Sequence, residues 1–226
     1  MNKKKAFSLV ELSIVLIIIG LLVAGVSGGS QLIKSAKINK LISEINQIKS
    51  NVTTFKLIYE ELPGDFADAQ SFWGSTGNLD NGNGNGTIEN PEEKFDAFLH
   101  MAKAELINDI GFTGTVTTYT NPISSIDGVA SSLMAISSLT AGEQANHYNQ
   151  GDNIVQIGKG ALASSAFLIP KDAYKIDKKL DDGLPKSGNV TFRNGGNSTD
   201  ANCTNSSTSY YLSSVTEGCN LIASID

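Results

Sequence analysis

Phe7-Ser8-Leu9-Val10-Glu11-Leu12-Ser13-Ile14-Val15-Leu16-Ile17-Ile18-Ile19-Gly20-Leu21-Leu22-Val23-Ala24-Gly25-Val26 is the stretch on which the reading of this chain turns. About 20 residues of this kind are enough to cross a ~30 Å hydrocarbon core as a helix. One side chain breaks the apolar run. An ionised Glu11 in hydrocarbon costs ~2.5–3.5 kcal/mol on insertion scales, so an acid there points to function. Lys3, Lys4 and Lys5 precede the run, and the positive-inside rule keeps such a cluster cytoplasmic and sends the remainder across the membrane. Two bland readings compete. One is a secretory signal with small residues at Val23-Ala24-Gly25 for a peptidase; the other is a plain single-span anchor. Neither has a use for Glu11.

The helical period continues past the apolar run. Ile38, Leu41, Ile45, Ile48, Val52, Phe55 and Tyr59 step by three and four residues, while Lys37, Asn39, Glu44, Asn46 and Lys49 fall on other faces. No proline interrupts residues 7–62, and Pro63-Gly64 stops the pattern. The expectation is one helix of about 54 residues, roughly 80 Å long. Gly28-Gly29 is the expected bend, since glycine costs up to ~1 kcal/mol in a helix relative to alanine. The stripe over 38–59 needs a cover, and a sheet from the rest of the chain is the natural one.

Downstream patterning is weaker. Phe66 to Trp73 reads as one or two turns, an Asn/Gly loop covers 77–86, and residues 92–107 read as an amphipathic helix. Residues 112–152 are expected to be loops with a short helix around Leu133–Leu139. Strand candidates are Ile154–Ile157, Ser165–Ile169, Val190–Arg193 and Tyr210–Leu212. Asp172–Leu180 reads as a brief helix ended by Gly183. The sum is α+β, a long helix against a small antiparallel sheet.

Composition narrows function. The chain has 226 residues and carries 17 Lys and Arg against 23 Asp and Glu, a net charge of −6. Without Lys3, Lys4 and Lys5 the 17 becomes 14, and the side-chain balance is −9. Such a surface lacks the basic footprint of a nucleic-acid partner. Cys203 and Cys219 are the only cysteines. On the translocated side of a membrane an even pair is most simply a disulfide, closing a loop worth roughly 3 kcal/mol in the entropic picture. Two free buried thiols are the alternative.

A basic leader, the small residue Ala6, and Phe7-Ser8-Leu9-Val10-Glu11-Leu12 heading an apolar helix resemble the class III signal of type IV prepilins and type II secretion pseudopilins. The resemblance implies a pilin-like fold, in which a transmembrane half-helix and its amphipathic continuation carry a small antiparallel sheet with long loops. It implies cleavage between Ala6 and Phe7 by prepilin peptidase and methylation of the new Phe7 amine. Glu11 would pair with the N-terminal amine of a neighbouring subunit. The family usually has glycine before the cut, where this chain has Ala6. The implied organisation is a leader 1–6, an assembly helix 7–26, its continuation 27–62, and an extracytoplasmic domain 63–226. Implied partners are the peptidase, other pilin or pseudopilin subunits in a homo- or hetero-filament, and inner-membrane assembly machinery. The implied location is the bacterial inner membrane, with the domain in the periplasm before assembly. Leu62-Pro63-Gly64-Asp65-Phe66, the NGNG run, the helix 92–107 and Ile176 to Pro185 are similar to a pilin-like subgroup labelled only by its methylation motif. The rival from another class is a membrane-anchored or secreted calcium-stabilised binding domain that does not polymerise.

Two constellations bear on metals. Residues 81–92 laid on an EF-hand loop place Asn81, Asn83 and Asn85 at positions one, three and five. Gly86 then takes the sharp turn, Thr87 offers its carbonyl, and Glu92 stands at twelve. Calcium wants six to eight oxygens, and so few charges imply a weak ~10⁻⁴–10⁻³ M site. Position one is normally aspartate, and Asp80 or Glu89 would have to compensate for Asn81. The alternative is an Asn/Gly turn that tolerates left-handed backbone. Asp177, Asp181, Asp182 and Gly183 form the second cluster, read as a solvated helix end, although two acids there oppose the helix dipole. Enzyme signatures are missing. His100 and His147 lack the companions of a zinc site, no G-x-S-x-G elbow or Cys/His pair occurs, and NGNGNG lacks the P-loop lysine. His100 is expected to be a half-buried core neighbour.

Overall fold

Helix α1 runs Leu9–Tyr59 without a break, through Gly28-Gly29, where the sequence suggested a bend. The computed structural model describes residues 8–75, 79–110, 112, 121–122, 125–139, 153–160, 163–195, 203–206 and 208–225. The chain divides into two units, meeting between Lys40 and Leu41. In the first, Leu9, Val10, Leu12, Ile14 to Ile19, Leu21 to Val23 and Val26 are all exposed. Among the described residues, α1 is the one helix long and apolar enough to cross a membrane.

The second unit contains the folded core. Its part of α1 buries Leu41, Ile45, Ile48, Val52 and Phe55, the stripe expected from the three-four spacing. Helices α2 (Ala69–Trp73), α3 (Pro91–Lys103) and α4 (Pro170–Leu180) follow. Phe55 anchors the end of α1 in an aromatic cluster. Its ring lies 6.0 Å from Phe66, 6.3 Å from Trp73 and 6.3 Å from His100. Glu44 ties the middle of the helix to a later segment, accepting the hydroxyl of Ser125 at 2.7 Å.

Strands β1 (Asn121–Pro122), β2 (Val129–Ala135), β3 (Asn153–Lys159), β4 (Val190–Asn194) and β7 (Cys219–Ser224) form one antiparallel sheet, in the order β1-β2-β3-β7-β4. Strands β5 (Thr204–Ser206) and β6 (Ser209–Tyr210) make a separate pair. A long N-terminal helix followed by a small antiparallel sheet is the expected α+β, pilin-like arrangement.

The differences from the sequence reading are local. Residues 133–135 belong to β2, paired with β3 from Val129↔Lys159 to Ala135↔Asn153, and only Ile136–Ser138 turn helically. The short helix expected over 133–139 loses to this seven-pair ladder, because β-branched β3 needs a partner on that edge. Ser165–Ile169 makes isolated bridges at Ser165 and Leu168 in place of a strand. β7 was not anticipated at all, and it pairs with both β3 and β4.

Candidate functional site

Glu11 sits in the first turn of α1. Its Oε2 accepts the Ser8 N–H at 2.9 Å, and Ser8 Oγ accepts the Val10 N–H at 3.4 Å. A Ser-x-x-Glu pair satisfies helix-start donors in this reciprocal way, and a carboxylate there also meets the positive end of the helix dipole. From Leu12 to Ile33 no charged residue follows, so Glu11 is the one formal charge over that whole apolar face. Ala6 and Phe7, the expected processing pair, lie outside the described residues.

Downstream of α1 the second motif folds upon Leu62-Pro63-Gly64-Asp65. Asp65 is buried, and its carboxylate accepts the N–H groups of Asn85 at 3.1 Å and Gly86 at 2.7 Å. Its carbonyl accepts the Gly84 N–H at 3.0 Å. Burial pushes the Asp65 carboxyl up from the usual range, and the Gly86 and Asn85 donors hold it back. Gly82 lies so close that a Cβ would stand 2.1 Å from the Asp65 carbonyl carbon. Gly86 turns the loop at φ +89, a conformation that favours glycine.

Glu93 closes the loop from the other side. Oε1 accepts Asn83 Nδ2 at 2.6 Å and Asn90 Nδ2 at 3.1 Å, while Oε2 accepts the N–H groups of Glu89 at 2.9 Å and Asn90 at 3.2 Å. With Asn90 it completes a capping box at the start of α3. Ile88 drops into the core, its N–H donating to Asn153 Oδ1 at 2.9 Å. Of the five residues read as calcium ligands, Asn81, Asn83 and Glu92 line one cleft together with Gln70, Asp80, Gly82, Asn90 and Glu93. Asn85 and Thr87 stand apart from its walls and bond to each other, Thr87 Oγ1 donating to Asn85 Oδ1 at 2.7 Å.

His100 is fully buried, more so than the half-buried position expected. Nδ1 accepts the Gly64 N–H at 3.0 Å, which leaves Nε2 as the donor to the Asp80 carbonyl at 3.2 Å. Burial holds its pKa down to about 4. The neutral ring therefore links α3, the 62–65 turn and the loop entrance.

At the C-terminal end of α4, exposed Asp182 fits the solvated reading, but Asp177 does not. Asp177 is fully buried; Oδ2 accepts the Tyr210 hydroxyl and Oδ1 the Gly183 N–H at 3.3 Å. Burial pushes its carboxyl up to about 7, against those two donors. Asp181 Oδ2 accepts the N–H of Val190 at 2.9 Å and that of Asn189, bracing the entry to β4. Asp177, Asp181 and Asp182 each bring an oxygen within 4.8 Å of the others. The sequence held no signal for Tyr210, which comes from 33 residues away. Cys203 and Cys219 form a disulfide with Cα atoms 4.8 Å apart, joining the start of β5 to β7.

An exposed apolar helix with a carboxylate in its first turn, heading a small antiparallel sheet, defines a pilin-like class of chain. Residues 1–27 match a family described as a prokaryotic N-terminal methylation motif, the class III prepilin motif of type IV pilins and pseudopilins. Proteins carrying this motif are structural rather than catalytic, and the motif together with the apolar helix fits a membrane-anchored pilin precursor. No curated protein and no solved structure matches the chain.

Proposed function

We propose that the chain is a structural subunit of a type IV pilus or type II secretion pseudopilus. Prepilin peptidase cuts it between Ala6 and Phe7, the Phe7 amine is methylated, and the subunit polymerises through its N-terminal helix. The observation that carries this reading is the lone Glu11 carboxylate at the head of the exposed apolar stretch of α1, which is otherwise uncharged from Leu12 to Ile33. A buried charge in hydrocarbon is retained where it has a partner, and the amine of the next subunit is the partner that processing creates. Glu11 thereby fixes the axial register, while residues 7–26 bury one another in the filament core. Residues 27–62 continue the helix, and the domain from 63 onward decorates the surface. Assembly starts from the bacterial inner membrane with the domain in the periplasm, and uses the inner-membrane assembly machinery and other pilin subunits as partners.

Intact mass and terminal sequencing of the mature chain test the first step. The expected product begins with N-methyl-Phe7. An unmethylated terminus near Gly25–Gly29 on a soluble protein would overturn the proposal in favour of a secreted binding domain.

A further inference from the structure

Residues 81–86 set three Asn-Gly pairs in a row, Asn81-Gly82, Asn83-Gly84 and Asn85-Gly86, and another stands at Asn194-Gly195. Such a pair can close on itself, because glycine has no Cβ to screen its backbone nitrogen from the preceding side chain. The glycine N–H gives its proton to solvent base, and the nitrogen attacks the asparagine Cγ. A C–N bond forms, the Cγ–Nδ2 bond breaks, and ammonia leaves with the equivalent of that proton. Water then opens the succinimide at either carbonyl, leaving aspartate or isoaspartate.

Solvent reaches this loop, since Asn83, Gly84, Asn85 and Gly86 are all exposed. What sets it apart from an open chain is the fate of each glycine N–H. Gly82 donates to the Phe66 carbonyl at 2.9 Å, Gly84 to the Asp65 carbonyl at 3.0 Å, and Gly86 to Asp65 Oδ2 at 2.7 Å. A nitrogen whose proton is held by an acceptor is a poorer nucleophile, because that bond must be given up before the proton leaves. At Gly86 the acceptor is a carboxylate, which makes the bond the strong kind. Its charge also repels the amide anion that attack requires. The electrophile is fixed as well: Asn85 Oδ1 accepts the Thr87 N–H at 2.8 Å, and Nδ2 donates to Glu89 Oε1 at 2.7 Å.

We propose that Asn85 is a latent isoaspartate site, kept unreactive by the Asp65 carboxylate beneath the loop. Isoaspartate routes the main chain through Cβ and lengthens it by one atom, so a loop that has once opened and reacted no longer fits over Asp65. The modification is therefore one-way, and it records each local opening of the loop from the 62–65 turn. Asn194-Gly195 is held elsewhere, Gly195 donating to the Gly218 carbonyl at 3.0 Å, and serves as an internal reference.

The test incubates the full-length chain in non-ionic detergent at mildly alkaline pH and reads aspartate and isoaspartate at each Asn-Gly pair by peptide mapping. In the folded wild type, Asn85 is expected to react at least about tenfold more slowly than in the same chain unfolded in urea, a difference of about 1.4 kcal/mol. Asp65→Asn is expected to speed the reaction at Asn85 at least about tenfold while Asn194 keeps its folded rate. A folded wild type that reacts at Asn85 as fast as the unfolded chain overturns the proposal. So does an Asp65→Asn chain that reacts at the wild-type rate. Hydrogen exchange on the wild type covers the case in which Asp65→Asn unfolds, seen as Asn194 reacting too. The Gly86 N–H is expected to exchange at least about tenfold more slowly than in a free peptide of the same sequence, and equal rates overturn the proposal.

Discussion

Acidification is expected to strike the second unit through His100. The ring is fully buried, accepts the Gly64 N–H at Nδ1, and has its pKa held down to about 4 against 6.5 for a free histidine. A proton at Nδ1 would set donor against donor and place a charge among Phe55, Phe66 and Trp73. Because the folded value is depressed, the unfolded chain binds the proton first as pH falls. The stabilisation is complete above pH 6.5 and is lost progressively down to about 4. At about 1.36 kcal/mol per pKa unit, the loss is about 3 kcal/mol over the whole window and about 2 kcal/mol at pH 5. Asp96 and Asp177 act in the opposite sense over the same range, since their raised folded values make them proton acceptors on folding below about 7. The His100 contribution must therefore be isolated by comparison with His100→Gln, which keeps one acceptor and one donor but gains no proton. Trp73 is the only tryptophan and its ring lies 5.8 Å from His100, so its fluorescence reports both urea unfolding and imidazolium quenching. Between pH 7.5 and 5.0 the wild type in detergent should lose about 2 kcal/mol relative to His100→Gln. Parallel stabilities within about 0.5 kcal/mol, or a quenching midpoint near that of free histidine, would refute the assignment of a neutral, hydrogen-bonded ring.

Replacing Glu11 with alanine is expected to cut filament incorporation at least about tenfold, which is a register contact of about 1.4 kcal/mol. The thermal unfolding of the domain should stay unchanged, and unaltered incorporation in sheared-filament immunoblots would count against the assembly role. Gly82→Ala drives a Cβ into the Asp65 backbone and should cost about 1–3 kcal/mol in urea titrations; a neutral outcome would mean that the loop does not pack on Asp65. Cys203→Ser with Cys219→Ser should cost about 3 kcal/mol for the 16-residue separation. The loss should be reproduced by reductant in the wild type and have no further effect in the double variant.

The elements legible in the sequence were those whose burial follows a single period. The stripe from Leu41 to Phe55 was readable because helix geometry puts those residues on one face. The sheet resisted for a physical reason. Ser132, Gln156, Thr191 and Asn220 point to one face of their strands yet are buried there, so polar residues did not mark solvent. In β7 this hid a strand, since Cys-Asn-Leu-Ile-Ala-Ser looked like a tail and not like an element covered on both sides. Asp177 misled in the same way, because the hydroxyl that makes its burial tolerable belongs to Tyr210 across the fold. Asp65 was visible only as part of Leu-Pro-Gly-Asp; its role as the acceptor beneath the Asn/Gly loop depends on donors about 20 residues later. At the N-terminus, Glu11 was legible from cost alone.

The placement of β7 between β3 and β4 also sets an order of events in time. β3 and β4 cannot complete their ladders until Cys219 to Ser224 have been synthesised, since each waits for the same late segment. Non-local pairing of this kind is slow to close and keeps open edges exposed meanwhile. The apolar helix, by contrast, emerges first and needs no partner from later in the chain. On the proposed pilin reading, the anchoring element is therefore complete while the sheet is still unfinished.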